Sequence, residues 1–110
     1  MSQVTTHVLD TALGRPAAGI PVALEHHDSG TWTPLAIAAT DADGRARDLG
    51  ADELVPGRYR LTFDTATYFE CTNQDGFFPE VNLVFLVRVG EKYHLPLLLS
   101  PFAFSSYRGS

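Results

Sequence analysis

The sequence predicts an all-β sandwich, and three observations carry that prediction. Apolar and β-branched residues recur at every second position through most of the chain, the period of a half-buried strand. Gly, Pro and Asp-Gly signals punctuate those runs at short intervals. Only the stretch from Thr65 to Asp75 breaks the alternation. The expectation is therefore about seven or eight short strands with one minor helix.

Val4, Thr6 and Val8 alternate with Thr5, His7 and Leu9, forming a β-branched strand that ends in a turn marked by Gly14 and Pro16. Ile20, Val22 and Leu24 line one face of a second strand, with Ala23 and Glu25 opposite. His26, His27, Asp28, Ser29 and Gly30 read as a solvated hairpin connection. Trp32, Leu35 and Ile37 mark a third strand whose start Pro34 makes irregular. Thr40-Asp41-Ala42-Asp43-Gly44-Arg45 is a turn with Asp-Gly at its tip, where glycine takes positive φ without steric cost. Beyond Pro56 and Gly57, Tyr59, Leu61 and Phe63 face one way, and Arg60, Thr62 and Asp64 the other. Thr65 is placed to cap a short helix carrying Tyr68, Phe69 and Thr72 on one side. Glu80 to Val89 is nearly all apolar and reads as a strand buried on both faces.

The closing segment also runs in twos, with Tyr93, Leu95, Leu97 and Leu99 on one face and His94, Leu98 and Ser100 on the other. Pro96 and Pro101 cannot donate to a ladder, so the segment reads as a terminal edge hairpin. So apolar an edge needs a cover, and a second copy of the chain is the simplest one.

The 110 residues suit a single domain spanning 1–110. A net charge of −5 with scattered Lys and Arg argues against a nucleic-acid partner or a polybasic membrane anchor. No apolar run approaches the ~20 residues of a membrane span. The opening residues lack a secretory pattern, and a lone Cys71 suits a reducing compartment. Cytoplasm is the expected location.

The residues able to carry chemistry are His7, His26, His27, His94, Arg45, Arg108 and Ser110. Asp41-Ala42-Asp43-Gly44 echoes a calcium loop. Aligning Gly44 with that loop's glycine, however, puts Ala39 and Gly50 at its first and last ligand positions. The histidines lack zinc-site spacing, so no metal and no cofactor are expected; His7 and His94 could meet only across the fold. The strained G-x-S-x-G elbow of a serine nucleophile is absent.

The tail Tyr107-Arg108-Gly109-Ser110, preceded by Tyr93-His94-Leu95-Pro96-Leu97-Leu98-Leu99-Ser100-Pro101, resembles the signature of the 5-hydroxyisourate hydrolase branch of the transthyretin-like family. Thr6-His7-Val8-Leu9-Asp10 is similar to that branch's N-terminal motif, and the Thr40 to Arg45 turn to its central one. Phe77-Phe78-Pro79-Glu80 fits as well. The resemblance covers the whole chain; it departs at Ala103-Phe104, where members often have Gly-Tyr, and at Ser106, where Thr is common.

This resemblance implies a prealbumin-like β-sandwich of two four-stranded sheets, with one short helix after the fifth strand. It also implies a homotetramer with active sites at the dimer–dimer interface. The implied reaction is metal-free hydrolysis of 5-hydroxyisourate to 2-oxo-4-hydroxy-4-carboxy-5-ureidoimidazoline, by water attack on a ring lactam. The implied catalytic group is His7, Arg45, His94 and Ser110. Substrate contacts fall on His7, Arg45, Tyr107, Arg108 and Gly109. The residue types suit such chemistry. A neutral imidazole can take a proton from water near neutral pH, and an arginine offers a cationic fork to carbonyl oxygen. Which histidine is the base stays open. The alternatives are a non-enzymatic carrier of a small aromatic ligand, whose family prototype lacks the terminal tetrapeptide, and an Ig-like interaction module.

Overall fold

The computed structural model describes residues 2–110. Strand β1 (Val4–Asp10) follows its sequence alternation: Val4, Thr6, Val8 and Asp10 are buried, while Thr5, His7 and Leu9 are partly exposed on the opposite face. Along one edge of β1 runs β8 (Tyr93–Ser100), parallel over the full length, from Val4 beside Tyr93 to Asp10 beside Leu99. The two-residue strands β2 (Arg15–Pro16) and β5 (Arg45–Ala46) both pair antiparallel with β1. With β8 filling one edge, they share the other as a broken strand. Strand β9 (Ala103–Ser106) pairs with the far side of β8. The first sheet therefore has five strands in four lateral positions.

The second sheet is antiparallel, in the order β4 (Thr31–Ala39), β3 (Pro21–Asp28), β6 (Gly57–Phe63) and β7 (Val81–Val87). Val4, Val8, Leu97 and Leu99 from the first sheet join Val22, Leu24, Tyr59, Leu61 and Phe63 from the second in one buried core. Each large side chain buried there is worth about 1.5–3 kcal/mol. The all-β, two-sheet sandwich with one short helix is what the alternation predicted.

Helix α1 (Thr65–Cys71) follows β6 and buries Thr65, Tyr68 and Phe69. Its cap is Asp64, which accepts from the Thr67 N–H at 3.1 Å, and not Thr65. The Thr65 hydroxyl is occupied elsewhere, donating to the Phe78 carbonyl. Tyr68 donates its hydroxyl to Asp10 Oδ2 at 2.6 Å, tying the helix to the end of β1. Burial alone raises the Asp10 pKa, but hydrogen bonds from Tyr68, Leu13, Gln74 and Ala12 outweigh it and hold the carboxyl below its ordinary value.

Three further expectations need correction. The closing strand β8 is interior, flanked by β1 and β9, and within the closing hairpin it is β9 that forms the edge. Pro96 survives there because the β8–β9 ladder stops at Leu97 beside Ser106 and resumes as an isolated bridge between His94 and Gly109. No ladder hydrogen bond is therefore required of Pro96 on that side. The run from Glu80 to Val89 is not buried on both faces. It forms the edge strand β7, with Val84 57% and Leu86 58% exposed. An apolar run reads the same in sequence whether its outer face is buried or exposed. Lastly, His26 and His27 lie within β3: His26 stacks on Tyr59 at 4.6 Å, and His27 meets the Trp32 ring edge-on at 4.9 Å. The connection itself is only Ser29 and Gly30.

Candidate active site

The outward face of the first sheet collects the reactive side chains. His7 on β1 is the register partner of Arg45 on β5. On the other side of β1, Thr5 is the register partner of His94 on β8. Thr5 and His7 share a strand face because they are two residues apart, so strand pairing sets Arg45 and His94 on flanking strands of that same face.

The turn before β5 delivers Arg45. Asp41 Oδ1 accepts from the N–H groups of Asp43 at 2.9 Å and Arg45 at 3.0 Å, a compact Asx-type turn. These bonds, led by the Arg45 N–H, hold the Asp41 carboxyl below its ordinary value. Gly44 has φ 76°, and a Cβ there would collide with the Val8 carbonyl, so the turn lies flat against β1. The same turn aims the Asp43 carbonyl at His7 Nε2, 2.9 Å away. A carbonyl only accepts, so Nε2 is the protonated nitrogen of His7.

His94 is held differently. Its Nδ1 lies 2.8 Å from the Thr5 hydroxyl oxygen. Burial, followed by the nearby charges of Arg45 and His7, holds its pKa below the ordinary 6.5. The ring is consequently neutral at neutral pH, the form able to accept a proton. A cleft of about 310 Å³ opens beside it, lined by Ser2, Gln3, Thr5, Arg45, Lys92, Tyr93, His94 and Ser110. His7 adjoins the cleft through Arg45.

The tail is pinned directly over His94. Gly109 N–H donates to the His94 carbonyl at 2.7 Å, which brings Ser110 to the cleft. A Cβ on Gly109 would lie 2.8 Å from His94 Cδ2 and 3.2 Å from the His94 carbonyl oxygen, so only glycine fits this crossing. Arg108 turns away from the cleft: its guanidinium lies 4.6 Å over the Tyr93 ring, with Nη2 3.4 Å from the Lys92 carbonyl and 3.9 Å from Glu91. Tyr107 is 60% exposed. Together with Arg108 it lines a separate groove of about 550 Å³ against β7.

Within one chain, then, the fold assembles His7, Arg45, His94, Gly109 and Ser110, whereas the side chains of Tyr107 and Arg108 lie on the neighbouring groove. Thr5, Lys92 and the Asp43 carbonyl were missed in the sequence. Thr5 alone carried a signal, sharing the strand face of His7; its contact with His94 depends on a parallel pairing across 89 positions. Among the described residues, no group of three or more His, Cys, Asp or Glu side chains is arranged to hold a metal ion.

The model of the HIUase/Transthyretin family matches residues 4–109. The chain is 43% identical over 109 residues to a 5-hydroxyisourate hydrolase of Salmonella dublin, covering 97% of this chain and 80% of that protein. It is 46% identical to the uric acid degradation bifunctional protein TTL of Arabidopsis thaliana over 97% of its own length, and spans 37% of that longer protein. Among solved structures, Klebsiella pneumoniae 5-hydroxyisourate hydrolase superposes with a TM-score of 0.87 at 36% identity, over 97% of this chain and 98% of that one. Transthyretin from Sparus aurata superposes with a TM-score of 0.94 at 29% identity, over 99% and 97%. The match takes in the very strands that bring His7, Arg45 and His94 onto one face, and the chain belongs to the HIUase/Transthyretin family.

Proposed function

We propose that the chain hydrolyses 5-hydroxyisourate to 2-oxo-4-hydroxy-4-carboxy-5-ureidoimidazoline in urate catabolism, by water attack on the ring lactam. The observation that carries this reading is the convergence of Arg45, His94 and Ser110 on one cleft, with His7 beside Arg45. The relatives named as 5-hydroxyisourate hydrolases support it.

In this reading His94, kept neutral by burial, takes a proton from water as the water oxygen bonds to the lactam carbon. Such base catalysis is worth about 10²–10⁴-fold. Negative charge developing on the carbonyl oxygen faces the Arg45 guanidinium. The C–N bond then breaks, the departing ring nitrogen takes the proton from His94, and the acyl carbon becomes a carboxylic acid that loses its proton to solvent as the carboxylate. His7, with Nε2 donating to Asp43, has Nδ1 free to orient the water or relay the proton. Ser110 offers a hydroxyl for hydrogen bonding at the cleft mouth. The route needs no metal ion, and activity should survive prolonged chelation.

The carrier reading shares the fold but has no use for this arrangement. Freshly generated 5-hydroxyisourate separates the two: its ultraviolet absorbance should decay faster with protein than spontaneously. His7→Asn, His94→Asn, or removal of residues 107–110 should each cost at least about 10²-fold in that acceleration. Parent-like acceleration by His94→Asn would overturn the assignment of the base.

The active form in this proposal is a homotetramer in the cytoplasm. Exposed Val84 and Leu86 on the edge strand β7, and Phe102, Phe104 and Tyr107 around β9, support self-association. In such an assembly Tyr107 and Arg108 would act from, or upon, a neighbouring chain.

A further inference from the structure

The proposed chemistry requires His94 to present one particular nitrogen to the cleft. An imidazole ring has two tautomers, and the hydrogen bond made by one nitrogen decides the state of the other. Among the described residues, the only hydrogen bond to the His94 ring joins Nδ1 to Thr5 Oγ1, at 2.8 Å. Nε2 has no protein partner among them. The bond is built into the fold: Thr5 and His94 are register partners on paired parallel strands. On the other side of β8, Gly109 packs against the Cδ2 edge of the ring. The ring is thus clamped between a hydroxyl and a stretch of backbone, and cannot turn without losing one or striking the other.

We infer that Thr5 is the positioning residue for His94: Nδ1–H donates to Thr5 Oγ1, and the Nε2 lone pair is left facing substrate. Arg45 lines the same cleft, and an Nε2 lone pair turned into that cleft would face its positive charge. Thr5 touches no reacting atom. It acts through the ring, much as a carboxylate or carbonyl behind a metal-bound histidine fixes that ring's orientation, where loss typically costs about 10–100-fold.

The inference rests on the hydrolase reading for its kinetic arm, while its spectroscopic arm stands apart from it. Histidine-selective ¹⁵N NMR on the intact protein at pH 8 should show a pyrrole-type nitrogen at His94 Nδ1 and a pyridine-type nitrogen at Nε2. The reverse pattern overturns the proposal whether or not the protein hydrolyses 5-hydroxyisourate. Thr5→Val keeps the branched shape at a partly exposed site and removes the hydroxyl. It should move the ¹⁵N pattern toward the Nε2–H tautomer and lower kcat about 10–100-fold, with KM changed less than about twofold. Thr5→Ser restores the hydroxyl and should recover both the ¹⁵N pattern and most of kcat. A Thr5→Val protein with the parent ¹⁵N pattern and kcat, or a Thr5→Ser protein as impaired as Thr5→Val, would show that Thr5 only fills space.

Discussion

Gly109→Ala is the substitution in which the geometry of the tail is most exposed to test. The added Cβ would stand 2.8 Å from His94 Cδ2 and 3.3 Å from Pro96 Cγ. Two carbons rest comfortably at roughly 3.5 Å, so the ring contact falls short by about 0.7 Å. Three things can yield: the imidazole, the tail, or the strand beneath both. Strand β8 is held between β1 and β9, so the ring and the tail are the soft parts. Moving the ring stretches its 2.8 Å bond to Thr5; lifting the tail breaks the 2.7 Å bond from Gly109 to the His94 carbonyl and carries Ser110 out of the cleft. Either loss costs about 0.5–1.5 kcal/mol. Because misplacement by about 1 Å can cost 10²-fold in rate, a shift of this size should lower kcat/KM about 10–100-fold. Tyr107 and Arg108 are exposed, so the melting temperature should fall by no more than about 8 °C. Decay of 5-hydroxyisourate absorbance, paired with thermal denaturation, reads both quantities. Parent-like kcat/KM in Gly109→Ala would refute the claim that the tail is seated against His94. An equal collapse of rate and stability would make it a structural cap.

Arg45→Gln removes one of the charges that depress the His94 pKa. An NMR titration should show that value rising toward 6.5, though only in part, since burial is the larger cause; no rise would contradict the placement of Arg45. In the parent, the unfolded chain protonates this histidine first as pH falls below about 6.5. The stability linked to His94 is therefore intact above pH 6.5 and is lost as pH falls through the lower folded value, and Arg45→Gln should flatten that loss. Tyr68→Phe deletes the hydroxyl that donates to the buried Asp10 carboxylate and should cost about 1.5–3 kcal/mol in denaturant unfolding. Rate per folded molecule should be unchanged, because Asp10 lies on the inward face of β1. The Tyr68 pKa is pushed up to about 12 by burial and Asp10. Its contribution is thus present below pH 10 and lost as pH rises toward 12 in the parent; in Tyr68→Phe it should be absent. Light scattering at micromolar concentration should give the mass of four chains, and the mass of one would overturn the tetramer.

The sequence alone determined what depends on near neighbours. Alternation at β1, β6 and β8 set which side chains face inward, since a strand's period of two admits no other assignment. Asp43-Gly44 announced the turn that delivers Arg45, because positive φ is a property of glycine itself. The tail motif, by resemblance, pointed to His7, Arg45, His94 and Ser110 together. Tertiary structure decided everything that depends on which strand lies beside which. The parallel pairing of β1 with β8 joins residues 89 positions apart, and it alone sets Thr5 against His94. Sheet order made β8 interior and β7 an edge, reversing what their apolar content suggested, because hydrophobicity records that a surface will be covered and not by what. Tyr107 and Arg108 are adjacent to Gly109 in sequence, yet their side chains lie on the other groove. There Arg108 stacks over the Tyr93 ring. A linear motif cannot record that choice, since it specifies which residues follow one another and not the direction in which each side chain leaves the strand.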